Sequence, residues 1–132
     1  MPPDLRSIID DYNGAWNRQD LDAIDAAHAE DVVFENHTAG ERAEGKEAVR
    51  VHIGEIFGRW PSLRFEGRGQ LRVGEDFVVS EWTATATTAD GERLEWDGID
   101  VFPFEGDKIA RKDVYSTSHI ARRSGGNLGP SL

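Results

Sequence analysis

The chain has 132 residues, room for one hydrophobic core and not two. Its formal net charge of −10 repels phosphate backbones and anionic lipid surfaces, which argues against nucleic-acid and membrane partners. There is no cysteine, so disulfides, thiolate metal sites and a cysteine nucleophile are excluded.

The first residues, MPPDLRSIIDDY, lack the basic start and apolar run of a signal peptide, and a cytoplasmic location is expected. Leu5, Ile8, Ile9, Tyr12 and Trp16 recur at helical spacing and predict a first helix, capped by Asp4. Asp20 caps a second helix with Leu21, Ile24 and Ala27 on its inner face. Residues 32–37 predict a short strand, and Thr38 to Gly45 a polar loop. A third helix carries the stripe Val49, His52, Ile53, Ile56, Phe57 and Trp60, and Pro61 ends it.

From Leu63 the pattern turns to β. Leu63–Val73 predicts a strand that bends or bulges at Gly67 and Gly69. Phe77–Thr88 and Arg93–Phe104 predict a hairpin about Asp90-Gly91, and Lys108–Ser118 predicts the last strand. Residues 1–121 thus form a single domain, and residues 122–132, RRSGGNLGPSL, a flexible tail. Three helices over one face of a bent, mostly antiparallel sheet make an α+β domain with a pocket between the layers.

Few groups in this pattern could carry chemistry. On the strand 94–104, one face reads Leu94, Trp96, Gly98, Asp100, Phe102, Phe104, so Asp100 is the sole charge on an apolar face. Such a carboxyl either stays protonated and donates a hydrogen bond, or accepts bonds from a neighbouring strand or an arginine. Tyr12 lies on the inner stripe of the first helix, where its hydroxyl needs a partner. On the last strand Asp113 and Tyr115 share a face with Arg111. They either point inward together or form a solvent-facing ion pair. His52 sits on the stripe of the third helix, as a core residue or a proton carrier. The other histidines show no metal-ligand spacing, and no nucleotide or phosphate signature occurs, so neither metal nor cofactor is expected.

Three patches, YNGAWNRQDLDAI with EDVVFENHTAG, GIDVFPFEGDKI and RKDVYS, resemble in order and spacing the nuclear transport factor 2-like superfamily. Within it they are similar to SnoaL-like and ketosteroid-isomerase-like proteins. The resemblance implies a cone-shaped, cystatin-like fold. It implies that Tyr12 and a neutral Asp100 hold a substrate enolate, as in ketosteroid isomerases. The isomerase base falls on Asn36, which cannot take a proton, and Asp113 resembles the acid–base carboxylate of SnoaL-like cyclases. Glu81 stands without the arginine that a limonene-epoxide-hydrolase-like site needs.

The function expected is enolate-type proton transfer on a small apolar carbonyl compound, by an isomerase, cyclase or dehydratase. Asp100, Tyr12, Asp113 and His52 are its catalytic candidates. Trp16, Asn36, Phe57, Trp60, Trp82, Trp96, Phe102 and Tyr115 are its substrate-binding candidates. A non-catalytic binding protein and a protein-interaction module are the alternatives. A homodimer through the outer sheet face is implied by the resemblance and by the few lysines and glutamates on Phe77–Thr88.

Overall fold

The structure, a computed structural model, describes residues 3–117 and the short strand Arg122–Arg123. Helix α1 (Leu5–Arg18) begins where the Asp4 carboxylate accepts the Ser7 N–H at 3.2 Å, and it stops at Gln19, whose φ of 55° is left-handed. Helix α2 (Leu21–Ala26) is capped in the same way, by Asp20 accepting from Ala23 N–H at 3.1 Å. Strand β1 (His28–Asn36) follows and starts earlier than the apolar run suggests.

The segment expected as a polar loop contains a strand, β2 (Glu41–Glu44), which pairs antiparallel with β1 from Val33↔Glu44 to Asn36↔Glu41. Its sequence, ERAE, has no strand signal. The pairing satisfies the edge of β1, a tertiary demand that overrides local propensity. Helix α3 (Lys46–Arg59) buries Val49, Ile53 and Phe57 and ends before Pro61, as the stripe predicts.

The glycine-interrupted stretch divides into β3 (Arg64–Gly67) and β4 (Arg72–Val73), both paired to β5 (Phe77–Thr87). Strand β5 forms a long hairpin with β6 (Arg93–Glu105), in register from Phe77↔Pro103 to Thr87↔Arg93. The hairpin closes at Gly91, where φ is 86° and the glycine N–H bonds Thr88 O at 2.9 Å. Strand β7 (Lys108–Ser116) then runs back along β6, and β8 (Arg122–Arg123) touches β6 at Glu95 and Leu94. The rest of the tail expected to be flexible lies outside the described residues.

Among the described residues the strands form one curved, unclosed sheet of order β2-β1-β7-β6-β5-β3. All pairs are antiparallel except β1 with β7. The helices cover its concave face, so Ile9, Tyr12 and Trp16 of α1, Ile24 of α2 and Val49, Ile53 and Phe57 of α3 share one core with the sheet. Burying each large side chain of this kind contributes about 1.5–3 kcal/mol. No described helix is long and apolar enough to cross a membrane.

A β-bulge decides what the last strand shows to that core. Val101 pairs with Asp113 and Phe104 with Ile109, so three steps on β6 face four on β7. The extra residue reverses the alternation. Ile109 is buried, but after it Lys112 and Val114 point inward, while Arg111, Asp113 and Tyr115 turn outward.

Gly98 shapes the same face of β6. It lies opposite Trp82 in the β5–β6 register, and a Cβ there would overlap the six-membered ring of the indole. Gly98→Ala is therefore expected to displace Trp82 and cost about 1–3 kcal/mol, the usual penalty of overpacking. Urea denaturation checks the cost and indole fluorescence the displacement; unchanged values for both would show that the ring moves freely.

Candidate functional site

Between the helices and the sheet lies a cavity of about 100 Å³. Its walls are aromatic and aliphatic: Trp16, Phe34, Trp60, Phe65, Trp82 and Trp96, with Ile56, Leu63 and Val114. Exposed Glu41 and Arg59 stand at its mouth, and buried Asp100 and Lys112 at its deep end.

The deep pair is the chemical centre of the cavity. Lys112 Nζ lies 3.0 Å from Asp100 Oδ2, with side-chain exposures of 7% and 6%. The β7 bulge brings Lys112 there, and the strict alternation of β6 brings Asp100. Burial pushes the Asp100 carboxyl above its ordinary range despite the opposing pull of the lysine. Burial likewise pushes the Lys112 ammonium below its usual range, against the attraction of Asp100. Ring faces surround the nitrogen, with centroids at 4.7 Å for Trp16, 4.9 Å for Phe102, 5.4 Å for Tyr12 and 5.7 Å for Phe34.

Three polar atoms beside the cavity have no hydrogen-bond partner: Asp100 Oδ1 and the indole nitrogens of Trp16 and Trp82. Trp82 stands near enough to Asp100 to favour its charged form, yet makes no bond of good geometry. Trp16 stands towards the Tyr12 hydroxyl instead, near enough to act on its ionisation. Buried polar groups are rarely left open, and the Trp82 N–H beside the Asp100 carboxyl suits a carbonyl ligand.

The other sequence candidates distribute as follows. Trp60 and Trp96 line the cavity, and Asn36 lines it too, but its Oδ1 already accepts the Ala39 N–H at 3.0 Å and closes a turn. Phe57 backs the wall, edge-on to Trp16 at 5.2 Å. Phe102 is fully buried beneath the lysine. His52 packs edge-on against Phe34 at 5.2 Å and does not reach the cavity.

Tyr12 does not line the cavity either. Its hydroxyl shares a 2.8 Å hydrogen bond with His28 Nε2, and burial pushes its ionisation far up. The donor expected beside Asp100 is thus occupied elsewhere, because the first helix places the ring over β1. His28 has no partner at Nδ1, and burial holds its pKa down at about 3, helped by the Lys112 and Lys46 cations.

Asp113 and Tyr115 do not reach the cavity: of the two arrangements expected for this strand the ion pair holds, because the bulge puts both residues on the outer face. Asp113 accepts from Arg111 Nη2 at 2.8 Å and Nε at 3.1 Å, and pairs with His37 Nε2 at 2.8 Å. Partial burial works against its charge, but the Arg111 and His37 hydrogen bonds outweigh that and hold the carboxyl below the usual range. Tyr115 is exposed and stacks on His37 at 4.4 Å. Glu35, His37 and Asp113 bring ligand-type atoms within 4.8 Å of one another, but the Arg111 guanidinium already bonds both carboxylates.

A family model of the SnoaL-like domain matches residues 9–112. The chain belongs to the SnoaL-like domain family. No curated protein sequence matches it. Solved structures do. A cystatin-fold protein from Novosphingobium aromaticivorans shares 29% identity over 82% of this chain and 94% of its own, with a TM-score of 0.71. An NTF2-like protein from Burkholderia pseudomallei shares 18% over 82% and 86%, with a TM-score of 0.74. A protein provisionally named a polyketide cyclase, from Acidithiobacillus ferrooxidans, shares 19% over 84% and 86%, with a TM-score of 0.74. The last two establish the fold alone.

In this SnoaL-like domain Asp100 and the four tryptophans line the cavity, and so does Lys112, which plain alternation along the last strand puts on the opposite face. The patch RKDVYS held the signal, since Lys112 alternates with Val114, but only a bulge after Ile109 selects that face. Arg59 was missed because it follows the apolar stripe of α3 as an ordinary solvent residue.

Proposed function

We propose that this SnoaL-like protein is a cofactor-free enzyme that moves a proton on a small apolar carbonyl compound by way of an enolate, as an isomerase, cyclase or dehydratase. The observation that carries this is the deep end of the cavity: one acid–base pair, Asp100 and Lys112, with an open carboxylate oxygen and the open Trp82 N–H beside it. A structure of the same fold is provisionally named a polyketide cyclase, and cyclase is one of the three reaction types proposed.

In this reading the carbonyl oxygen accepts from the Trp82 N–H, which lies in an apolar setting where such a donor acts strongly. Asp100 Oδ1 exchanges the α-proton. Its upward-shifted carboxyl brings acid and base forms closer in energy than in water, and it replaces the proton acceptor missing at Asn36. Lys112 offsets the charge that develops. The aromatic walls exclude water and orient the ring or chain of the ligand.

A carrier without catalysis is the second reading, favoured by the lysine that already holds Asp100. The two separate in deuterated buffer. With cyclohexanone or 2-cyclohexenone, the enzyme should speed α-proton exchange, followed by proton NMR. Asp100→Asn should slow the protein-dependent rate by about 10²–10⁴-fold. Ketone binding with no protein-dependent exchange would overturn the enzymatic reading in favour of the carrier.

A further inference from the structure

In the enolate reading Lys112 only balances charge, yet its ammonium is held by a buried carboxylate and four ring faces. Its Nζ is buried, lines the cavity, and has Asp100 Oδ2 as its hydrogen-bond partner at 3.0 Å. The rings of Trp16, Phe102, Tyr12 and Phe34 enclose the rest of its surroundings. We propose that Lys112 is a nucleophilic amine that joins a ketone or aldehyde ligand covalently as a Schiff base, with Asp100 as its acid–base partner.

The geometry supplies each part of the step. A proton passes from the Lys112 ammonium to Asp100 across the 3.0 Å hydrogen bond, leaving a free lone pair on Nζ. Burial favours that transfer at both ends, since it raises Asp100 and lowers Lys112. The amine attacks the carbonyl carbon, a C–N bond forms, and one proton moves from nitrogen to oxygen to give a carbinolamine. Asp100 then returns its proton to the hydroxyl, the C–O bond breaks, and water leaves. The products are an iminium on Lys112, a carboxylate on Asp100 and one water, so atoms and charge balance. The iminium is a cation in the place of the ammonium, and the four ring faces and Asp100 suit it equally. Asp100 Oδ1, without a partner, is positioned to take the leaving water. An iminium also acidifies the α-carbon, which deepens the proton-transfer reading of the same site and rests on its choice of a carbonyl ligand.

The sequence holds only three lysines, Lys46, Lys108 and Lys112, which makes the test clean. Neither of the others lines the cavity. Lys46 is 3.7 Å from Asp25, and Lys108 donates to Ala26 O at 3.0 Å. The folded full chain is incubated with cyclohexanone and sodium cyanoborohydride, which reduces an iminium to a stable cyclohexyl amine. Peptide mapping by mass spectrometry then locates the adduct.

We expect Lys112 to be labelled at least ~10-fold faster than Lys46, Lys108 and the α-amine, a preference that vanishes in urea as the site unfolds. Lys112→Arg should abolish the fast label, and the wild-type map decides the matter if that variant misfolds. Labelling of the other amines but not Lys112 in the folded chain would overturn the proposal. Proton exchange without Lys112 labelling would overturn the Schiff base and leave the enolate reading standing. Labelling of Lys112 without exchange would support the Schiff base and count against turnover of that ketone.

Discussion

Acidification from pH 7 to about 3 is expected to cost the fold about 4 kcal/mol through His28 alone. Burial, with the Lys112 and Lys46 cations, holds His28 at about 3 in the folded state, against an ordinary 6.5. A depressed pKa means that the unfolded chain takes up a proton the folded chain refuses. The stability from this group is complete above about 6.5 and drains away as pH falls towards 3. Nothing nearby relieves the cost: a second proton would go to Nε2, where it displaces the hydrogen that Tyr12 donates across 2.8 Å, and Nδ1–H has no acceptor. His28→Gln keeps a group that can accept from the Tyr12 hydroxyl and removes the titration. Urea midpoints at pH 7, 5 and 4 should fall steeply for the wild type and much less for the variant. The outer-face Asp113, also depressed, contributes equally to both and cancels in the difference. A His28 ring that titrates near 6.5 by NMR would end this account.

The second large effect concerns the buried pair. Lys112→Met leaves Asp100 in an apolar pocket with no cation, and it should cost about 3–5 kcal/mol at pH 8. The loss should shrink as the pH is lowered. Burial raises the Asp100 carboxyl, so the folded variant binds that proton more tightly than the unfolded chain does. The group's contribution is therefore favourable below the unfolded value and is lost as pH rises through the folded one. The double variant Lys112→Met with Asp100→Leu removes both desolvation costs and fills the space with hydrocarbon. It should recover the wild-type stability or exceed it by about 1–4 kcal/mol, as exchanged buried ion pairs do. Denaturant melts of the two single variants and the double at pH 5 and pH 8 form the cycle. Simple additivity of the single losses would mean that the two groups do not depend on each other, against the 3.0 Å contact.

The local signals in the sequence were strong wherever a period or a cap was involved. Asp4 and Asp20 begin their helices because a short side chain can satisfy an orphan N–H one turn ahead. The stripes of α1 and α3 set which faces they bury, and Asp90-Gly91 set the β5–β6 register through a glycine that tolerates positive φ. From alternation alone, Asp100 was placed among Trp96, Phe102 and Phe104, and burial there follows.

The rest depended on partners distant in sequence. ERAE becomes strand β2 only because β1 offers an edge to pair with. Lys112, rather than Asp113, enters the cavity because one extra residue in β7 reverses a period-two pattern, and a bulge is fixed by the neighbouring strands and not by the residues that carry it. Tyr12 was recognised as needing a partner, but His28 supplies it, from a position no spacing rule links to the first helix. The amino-acid order by itself determined the elements, their faces and the buried carboxyl. The assembled sheet decided which cation meets that carboxyl, because register between strands is a property of the whole ladder.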